Sequence, residues 1–157
     1  MAGACFNMDA CLLCPRKCGA DRSNQRGACG AEALPRVAKI MLHQWEEPFI
    51  SGTRGSGTIF FSGCNLGCVY CQNYTIRDGG IGDSYDTNAL VQAYLALQNQ
   101  GAHNINLVTA APYLPDVVQS LHRAKEQGLT IPVVYNSSGY ECVEAIEQLE
   151  GLVDIYL

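Results

Sequence analysis

Residues 63–73 read GCNLGCVYCQN and carry three cysteines, Cys64, Cys68 and Cys71, with the spacing C-x3-C-x2-C. A loop of this length can place three thiolates at three corners of a cubane iron–sulfur cluster. Most [4Fe–4S] ferredoxins use four cysteine ligands. A fourth cysteine is missing from this stretch, so one iron would be open to bind a substrate or a cofactor directly.

The alternative interpretation is three buried thiols on one face of a helix, because positions i, i+4 and i+7 align along a helix. Gly63 and Gly67 would each weaken that helix by roughly 1 kcal/mol. Asn65 adds a residue type that favours turns. The composition of the stretch therefore favours a ligand loop.

The residues before this loop predict a buried strand. Residues 58–62 read TIFFS, a short β-branched and aromatic run that ends at Gly63, which is typical of a strand buried on both faces. Residues 51–57 read SGTRGSG but lack the Gly-Lys-Ser/Thr ending of a nucleotide-binding P-loop. We therefore expect a tight turn, then a strand, then the cysteine loop at the strand's carboxyl end.

Helix and strand patterns alternate after the loop. Apolar residues at helical spacing predict helices that each end at a glycine, and Thr87 is the predicted N-cap of the first. The intervening apolar runs predict strands, and this rhythm implies parallel strands with right-handed crossovers. An earlier extended segment is expected over residues 35–42. The predicted helices cover 87–100, 115–127 and 140–149, and the later strands cover 104–109, 131–136 and 153–157.

A second set of cysteines lies near the N-terminus. Cys11, Cys14, Cys18 and Cys29 fall within 19 residues, in a segment interrupted by proline and glycine that predicts a loop. Four thiolates fit a closed zinc site, and they fit a second iron–sulfur cluster equally well. Unliganded reduced thiols are the remaining alternative. We divide the chain into a cysteine-rich segment, residues 1–50, and a core, residues 51–157.

Composition limits the function classes. The chain has 157 residues, 48% of them hydrophobic and 16% charged, which is typical of one globular unit. The net charge of −5 argues against nucleic acid as a partner. A local basic cluster, formed by Arg16, Lys17, Arg22 and Arg26, is interpreted as solvated surface.

The nine cysteines point to metal ligands rather than disulfides. Residues 1–9 show no basic region followed by an apolar core, so no signal peptide is predicted. No apolar run approaches the ~18 residues that a membrane helix needs, and no membrane partner is expected. Clustered cysteines in such a chain are typical of metal sites. We expect a cytoplasmic, reducing and low-oxygen setting.

C-x3-C-x2-C with an aromatic residue, Tyr70, before the last cysteine resembles the signature of radical S-adenosylmethionine (SAM) enzymes. The wider stretch, residues 51–73, resembles the pyruvate formate-lyase activating-enzyme-like branch, and the resemblance extends over residues 11–157. It implies an α/β fold of the partial (β/α) barrel type, with about four parallel strands in this chain. It also implies a [4Fe–4S] cluster on Cys64, Cys68 and Cys71, with SAM bound to the open iron.

The resemblance further implies an activating-enzyme-like oxidoreductase. A one-electron donor such as flavodoxin or ferredoxin would reduce the cluster, and cleavage of SAM would give methionine and a 5′-deoxyadenosyl radical. In activating enzymes this radical takes hydrogen from a backbone glycine of a partner enzyme. Many members carry a Thr-Pro-Thr-His-Tyr-like stretch where this chain has TAAPY at residues 109–113. Because Pro112 replaces histidine, no proton-transfer role is assigned there.

Ligands of α/β folds bind beyond the carboxyl ends of the strands. Candidate SAM contacts at that edge are Thr109, Asn136, Ser137 and Ser138, although each is also a residue type common in turns and caps. Tyr70 is expected near the adenine and the cluster.

Two other functions stay open. One is a radical SAM enzyme that acts on a small molecule or on a different protein side chain. The other is a non-catalytic iron–sulfur or zinc-binding electron-transfer module.

The last expected strand reaches Leu157 with no covering helix after it. A full barrel takes eight strands in ~250 residues. We therefore expect a chain truncated at its C-terminus, which alone is poorly soluble, or holds a cluster without efficient SAM turnover, or pairs as two half-barrels.

Overall fold

The fold is built on one six-stranded sheet with the strand order β3-β1-β2-β4-β5-β6, as seen in a computed structural model that describes residues 10–157. Residues 1–9, and Cys5 with them, lie outside the described residues. The chain is a mixed α/β protein. Its strands are β1 Arg36–His43, β2 Ser56–Phe61, β3 Asp83–Ser84, β4 Ile105–Val108, β5 Val133–Asn136 and β6 Ile155–Tyr156.

Strands β2, β4, β5 and β6 are parallel neighbours, as the alternating pattern predicts. In this register Phe60 lies opposite Val108, and Val108 lies opposite Asn136. The extended segment expected over residues 35–42 is β1, which pairs antiparallel with β2 and with the short β3. The carboxyl ends of the parallel strands therefore share one edge of the sheet.

Five α-helices accompany the sheet in residues 10–157. The two long ones, α3 and α4, occupy the predicted positions. A 3-10 turn, Ala111–Tyr113, precedes α4. The helices are α1 Pro48–Ser51, α2 Tyr74–Arg77, α3 Thr87–Asn99, α4 Leu114–Glu126 and α5 Val143–Glu147.

The predicted cap of α3 is wrong by one residue. The N-cap is Asp86, whose Oδ1 accepts a hydrogen bond from the Ala89 amide at 2.7 Å. The hydroxyl of Thr87 instead donates to Gln119 Oε1 at 3.0 Å, across to α4. A carboxylate at this position also complements the positive end of the helix dipole.

Helix α5 is shorter than the 140–149 predicted. Its start is delayed because Glu141 serves the loop after β5: one carboxylate oxygen accepts from the Ser137 hydroxyl at 2.9 Å, and the other from the Tyr135 hydroxyl at 3.3 Å. The Tyr140 carbonyl accepts a hydrogen bond from Asn65 at 2.6 Å. These contacts hold residues 140–142 outside the helix.

The main core lies between one face of the sheet and helices α3 and α4. Apolar side chains there are removed from water, each contributing about 1.5–3 kcal/mol. The core includes Ile59, Phe61, Ile105, Leu107, Val133 and Tyr135 from the strands, and Leu90, Tyr94, Leu97, Val117, Leu121 and Ala124 from the helices.

Because side chains alternate along a strand, the opposite face of the sheet, here called the second face, carries another set. Its residues include Thr58, Asn106 and Val134 in one row and Phe60, Val108 and Asn136 in the next row toward the carboxyl edge. Thr58, Asn106 and Val134 are fully buried. Across residues 10–157, every helix is too short or too polar to span a lipid bilayer.

Candidate functional site

The cysteine loop begins at a firmly held point directly after β2. Ser62 is fully buried; its amide donates to the Arg36 carbonyl at 2.8 Å and its hydroxyl to the Ile76 carbonyl at 3.0 Å. The Ser62 carbonyl accepts from the Tyr113 hydroxyl at 2.8 Å. Burial raises the pKa of Tyr113 to about 12, so this phenol stays a neutral donor at physiological pH. The loop therefore leaves the sheet in a fixed direction.

The loop is not a helix, so the alternative of three thiols on one helical face is wrong. Residues 62–73 contain turns and bends only. Gly63 and Gly67 have φ of 95° and 72°, the left-handed region that favours glycine. Asn65 is 2% exposed and its side-chain amide donates to the Tyr140 carbonyl, which fastens the loop to the segment after β5.

The three cysteines of the loop are half-buried, and one arginine contacts their loop. Arg77 Nη1 donates to the Cys68 carbonyl at 2.9 Å, and its guanidinium lies close enough to interact with the thiols of Cys64 and Cys71. The Gly67 amide points at Cys64 Sγ at 3.5 Å. A cation and a backbone donor thus face the atoms that would carry negative charge as thiolate ligands.

Within residues 10–157, no three Cys, His, Asp or Glu side chains meet closely enough to hold a single metal ion. The central loop instead distributes its three thiols over eight residues, from Cys64 to Cys71. An all-sulfur donor set is typical of iron–sulfur clusters. The residues present fit a larger group that is anchored at three corners.

A cavity of about 340 Å³ opens beside this loop, at the carboxyl ends of β2, β4 and β5. Its wall combines apolar and polar groups, as ligand cavities usually do. His43 Nδ1 lies 3.2 Å from Glu46 Oε1, and the His43 ring meets the Phe60 ring edge-on at 5.9 Å between centroids. The lining residues are His43, Trp45, Glu46, Phe60, Gln72, Asn73, Val108 and Asn136.

Of the predicted cofactor contacts, Asn136 lines this cavity. Thr109 follows β4 at the same edge with a φ of 61°, a conformation that costs a non-glycine residue about 1–3 kcal/mol and is concentrated at functional sites. Ser137 is engaged in its own turn, because its hydroxyl donates to Glu141 and accepts from the Gly139 amide at 2.8 Å. Ser138 is exposed, and Tyr70 is 87% exposed at the tip of the cysteine loop.

The N-terminal cysteines lie against the central loop. The Cys29 carbonyl accepts a hydrogen bond from the Cys64 amide at 2.9 Å. Cys11 is buried, Cys14 and Cys29 are half-buried, and Cys18 is exposed. The eight cysteines within residues 10–157 are all free of disulfide bonds.

The interpretation of the basic cluster as solvated surface is wrong for Arg22, which is 3% exposed. Its Nη1 donates to the Pro112 carbonyl at 2.6 Å and its Nε to the Glu32 carbonyl at 2.9 Å. The guanidinium also lies 5.3 Å from the centre of the Tyr113 ring. Arg22 therefore fastens the N-terminal segment to the turn before α4.

Several residues of the site escaped the sequence reasoning. Four of them line the cavity from loops, and the hydrophobic pattern of the sequence does not reveal the direction in which a loop runs. They are Trp45, Glu46, Gln72 and Asn73. Asn106 carried a signal, since it is a polar residue inside an apolar strand. It is fully buried, and neither atom of its amide has a hydrogen-bond partner among the described residues.

A profile of the Radical SAM superfamily matches residues 58–157, which include β2, the cysteine loop and Asn136. "Uncharacterized protein MJ0674" of Methanocaldococcus jannaschii is 30% identical over 153 residues, which cover 94% of this chain and 44% of that protein. The chain thus spans less than half the length of this relative. The search of solved structures found no match. Because the profile matches more than half of the chain, the protein belongs to the radical SAM superfamily, whose members are enzymes that use a [4Fe–4S] cluster and SAM.

Proposed function

We propose that the chain binds a [4Fe–4S] cluster through Cys64, Cys68 and Cys71 and cleaves SAM to abstract hydrogen from a protein substrate, such as the backbone glycine of a glycyl-radical enzyme. The observation that carries this proposal is the position of the three-cysteine loop beside the cavity at the carboxyl ends of β2, β4 and β5. When bound, the cluster supplies the electron that splits SAM into methionine and a 5′-deoxyadenosyl radical.

The residues of the cavity have distinct tasks in this proposal. Phe60 and Val108 form an apolar wall that excludes water from the reacting atoms. The amides of Asn73 and Asn136 can each donate and accept hydrogen bonds, so they would orient the polar groups of SAM. The strained backbone of Thr109 supports a ligand contact at the same edge.

The proposal extends to Tyr70, Ser137 and Ser138. Tyr70 precedes Cys71 on the exposed tip of the loop and would pack near the adenine once SAM is bound. Ser137 would act mainly by positioning Asn136, because its hydroxyl is already committed to Glu141. Ser138 is exposed beside it and would contact SAM from the cavity mouth.

We further propose that the sheet is part of a partial (β/α) barrel whose interior is the second face. The complete burial of Thr58, Asn106 and Val134 supports this arrangement. A buried amide without partners costs about 1–3 kcal/mol, so Asn106 is better explained by an interior that receives polar groups than by a purely apolar core.

Exposed apolar side chains near the cavity support a protein as the substrate. Trp45 lines the cavity and is 89% exposed, and Phe49 nearby in the sequence is 73% exposed. On the cysteine loop, Val69 is 94% exposed. Apolar groups collected on a surface mark interaction sites more often than isolated ones do.

Flavodoxin or ferredoxin would supply the electron, in a cytoplasmic and low-oxygen setting.

The decisive experiment is anaerobic reconstitution with iron and sulfide, followed by dithionite and SAM and an assay for 5′-deoxyadenosine. Replacing Cys64, Cys68 or Cys71 by alanine should abolish formation of 5′-deoxyadenosine, because the two remaining thiolates cannot hold the cluster in place. Cys142→Ala is the matched control and should retain activity, since Cys142 lies outside both cysteine sets. Full activity in any of the three central variants would refute the ligand assignment. A reconstituted cluster that never cleaves SAM would favour an electron-transfer module.

A further inference from the structure

Three of the N-terminal cysteines lie on one tight turn. The Cys11 amide donates to the Ala20 carbonyl and the Gly19 amide donates to the Cys11 carbonyl, both at 3.0 Å. Between them, the Lys17 amide donates to the Cys14 carbonyl at 2.9 Å, and Lys17 adopts a φ of 43°. The two sides of this turn bring the Cys11 and Cys18 side chains into hydrogen-bonding contact.

A second tight loop brings the fourth cysteine to the same place. The Gly27 amide donates to the Ala31 carbonyl at 2.8 Å, which folds residues 27–31 around Cys29. A Cβ atom built on Gly27 would lie 3.4 Å from Cys29 Sγ and 3.8 Å from Cys18 Sγ. The two sulfurs therefore flank one buried glycine, although 11 positions separate them in the sequence.

Backbone amides point at these sulfurs. Cys18 Sγ is a hydrogen-bond partner of the backbone at Ala20 and Ala28, and Cys29 Sγ of the backbone at Ala31. A thiol sulfur is only a weak acceptor, whereas hydrogen bonds to ligand sulfurs are a regular feature of iron–sulfur sites and tune their potential. The donors suit metal-bound thiolates better than unliganded thiols.

The position of the four thiols selects the kind of group. Four thiolates can hold either zinc or an iron–sulfur cluster, but zinc has no redox chemistry. The Cys29 carbonyl accepts from the Cys64 amide, and beside the ligand loop of a cluster that must receive an electron, a redox-active group has a function that zinc lacks. We infer that Cys11, Cys14, Cys18 and Cys29 hold a second iron–sulfur cluster, closed by four thiolates, next to the ligand loop of the first.

The two ligand sets are joined through one hydrogen bond. The Cys29 carbonyl accepts from the Cys64 amide, and a Cβ on Gly63 would lie only 2.8 Å from that carbonyl oxygen. Arg16 adds a second tie, because its Nη2 donates to the Leu66 carbonyl at 3.3 Å. Cys29, a ligand of the N-terminal cluster, and Cys64, a ligand of the central cluster, are thus in direct contact through their backbone atoms.

This junction gives the second cluster a role that rests on the proposed function. A flavodoxin- or ferredoxin-type donor gives one electron to the N-terminal cluster, which is reduced. The same electron then passes to the cluster on Cys64, Cys68 and Cys71, and the N-terminal cluster returns to its oxidised state. No bond is formed or broken in this relay.

The test of the site uses the triple variant Cys64→Ala, Cys68→Ala and Cys71→Ala, reconstituted anaerobically with iron and sulfide. It should retain about four iron and four sulfide per chain and show a paramagnetic resonance signal after dithionite reduction. Adding Cys18→Ser and Cys29→Ser should remove both the iron and the signal, with circular dichroism confirming that both variants fold. Zinc alone, no metal, or iron that survives the added changes would overturn the inference.

The relay is tested separately in the otherwise unaltered chain carrying Cys18→Ser. The ratio of the 5′-deoxyadenosine rate with a protein donor to the rate with dithionite should fall at least tenfold. An unchanged ratio would overturn the relay. Iron retention in the triple variant is measured without SAM, so a failure of SAM cleavage in the wild-type chain would count against the proposed function alone.

Discussion

Arg22 shows how far a single residue's environment can depart from its local sequence. It lies among other basic residues, which predicts solvation, yet one of its hydrogen-bond partners is Pro112, 90 positions later. The ligand role of Cys64, Cys68 and Cys71 could be predicted, because it is indicated by their spacing in the sequence alone. Burial of Arg22 could not be predicted, because it depends on a contact that only the folded chain creates.

Replacing Arg22 by methionine should destabilise the protein by about 2–4 kcal/mol, because it leaves the part-buried carbonyl of Glu32 and the buried carbonyl of Pro112 without their donor. The free energy of unfolding in urea measures this loss. Arg26→Met is the matched control. Arg26 pairs with the Glu32 carboxylate at an exposed site, where an ion pair contributes about 0–1 kcal/mol. Equal losses in the two variants would contradict the role given to Arg22.

Gly63 is the second residue on which the site depends. Gly63→Ala should cost about 2 kcal/mol or more, because its φ of 95° is unfavourable for alanine and the new Cβ would press on the Cys29 carbonyl at 2.8 Å. We expect reduced iron content after reconstitution as well. Gly80→Ala serves as the control, since nothing lies within 4 Å of a Cβ there. Unaltered stability and iron content in Gly63→Ala would show that the junction is not required.

At the scale of elements, periodicity was a good guide wherever an element packs along its full length. Helices α3 and α4 and strands β4 and β5 are buried along one side, so their apolar spacing reflects their structure. The start of helix α5 and the antiparallel pairing of β1 with β3 were not predictable in this way. Hydrogen bonds from Ser137 and Asn65 decide where α5 begins, and β3 has only two residues, too few to show a period.

The cap of α3 provides a test at this scale. Asp86→Ala should lower the free energy of unfolding by about 1 kcal/mol, because the Ala89 amide loses its side-chain acceptor. Thr87→Ala is the neighbouring control and should cost less, since its exposed hydroxyl bonds only to Gln119. Thermal unfolding of the two variants ranks them. A larger loss of stability in Thr87→Ala than in Asp86→Ala would show that Thr87 is the N-cap.

At the scale of the whole molecule, the sheet has an unpaired edge at β6, which pairs with β5 alone among the described strands. Ile155 and Tyr156 are 36% and 46% exposed on this strand, and Val143 beside it is 71% exposed. Apolar edge strands are templates for pairing with other chains. The opposite edge, β3, is equally short, with two residues, but it is polar and so offers much less to a partner.

We therefore expect the 157-residue chain to self-associate in sedimentation velocity experiments, with a sedimentation coefficient that rises with concentration. Ile155→Lys should reduce this association, because a charged side chain on an edge strand disfavours pairing. Asp83→Lys on β3 is the control and should leave association unchanged. A wild-type chain that stays monomeric at every concentration would rule out the edge as an association surface.

The ties between the N-terminal segment and the rest of the fold also set an order of maturation. The Cys29 carbonyl accepts a hydrogen bond from the Cys64 amide, and Arg22 donates to the Pro112 carbonyl. Cys64 and Pro112 both emerge from the ribosome after the N-terminal cysteines do. During synthesis those cysteines are therefore accessible to metal before their docking surface exists. The central loop is fixed later, when the Tyr113 hydroxyl reaches the Ser62 carbonyl. We therefore expect the N-terminal site to be loaded before the central one during synthesis.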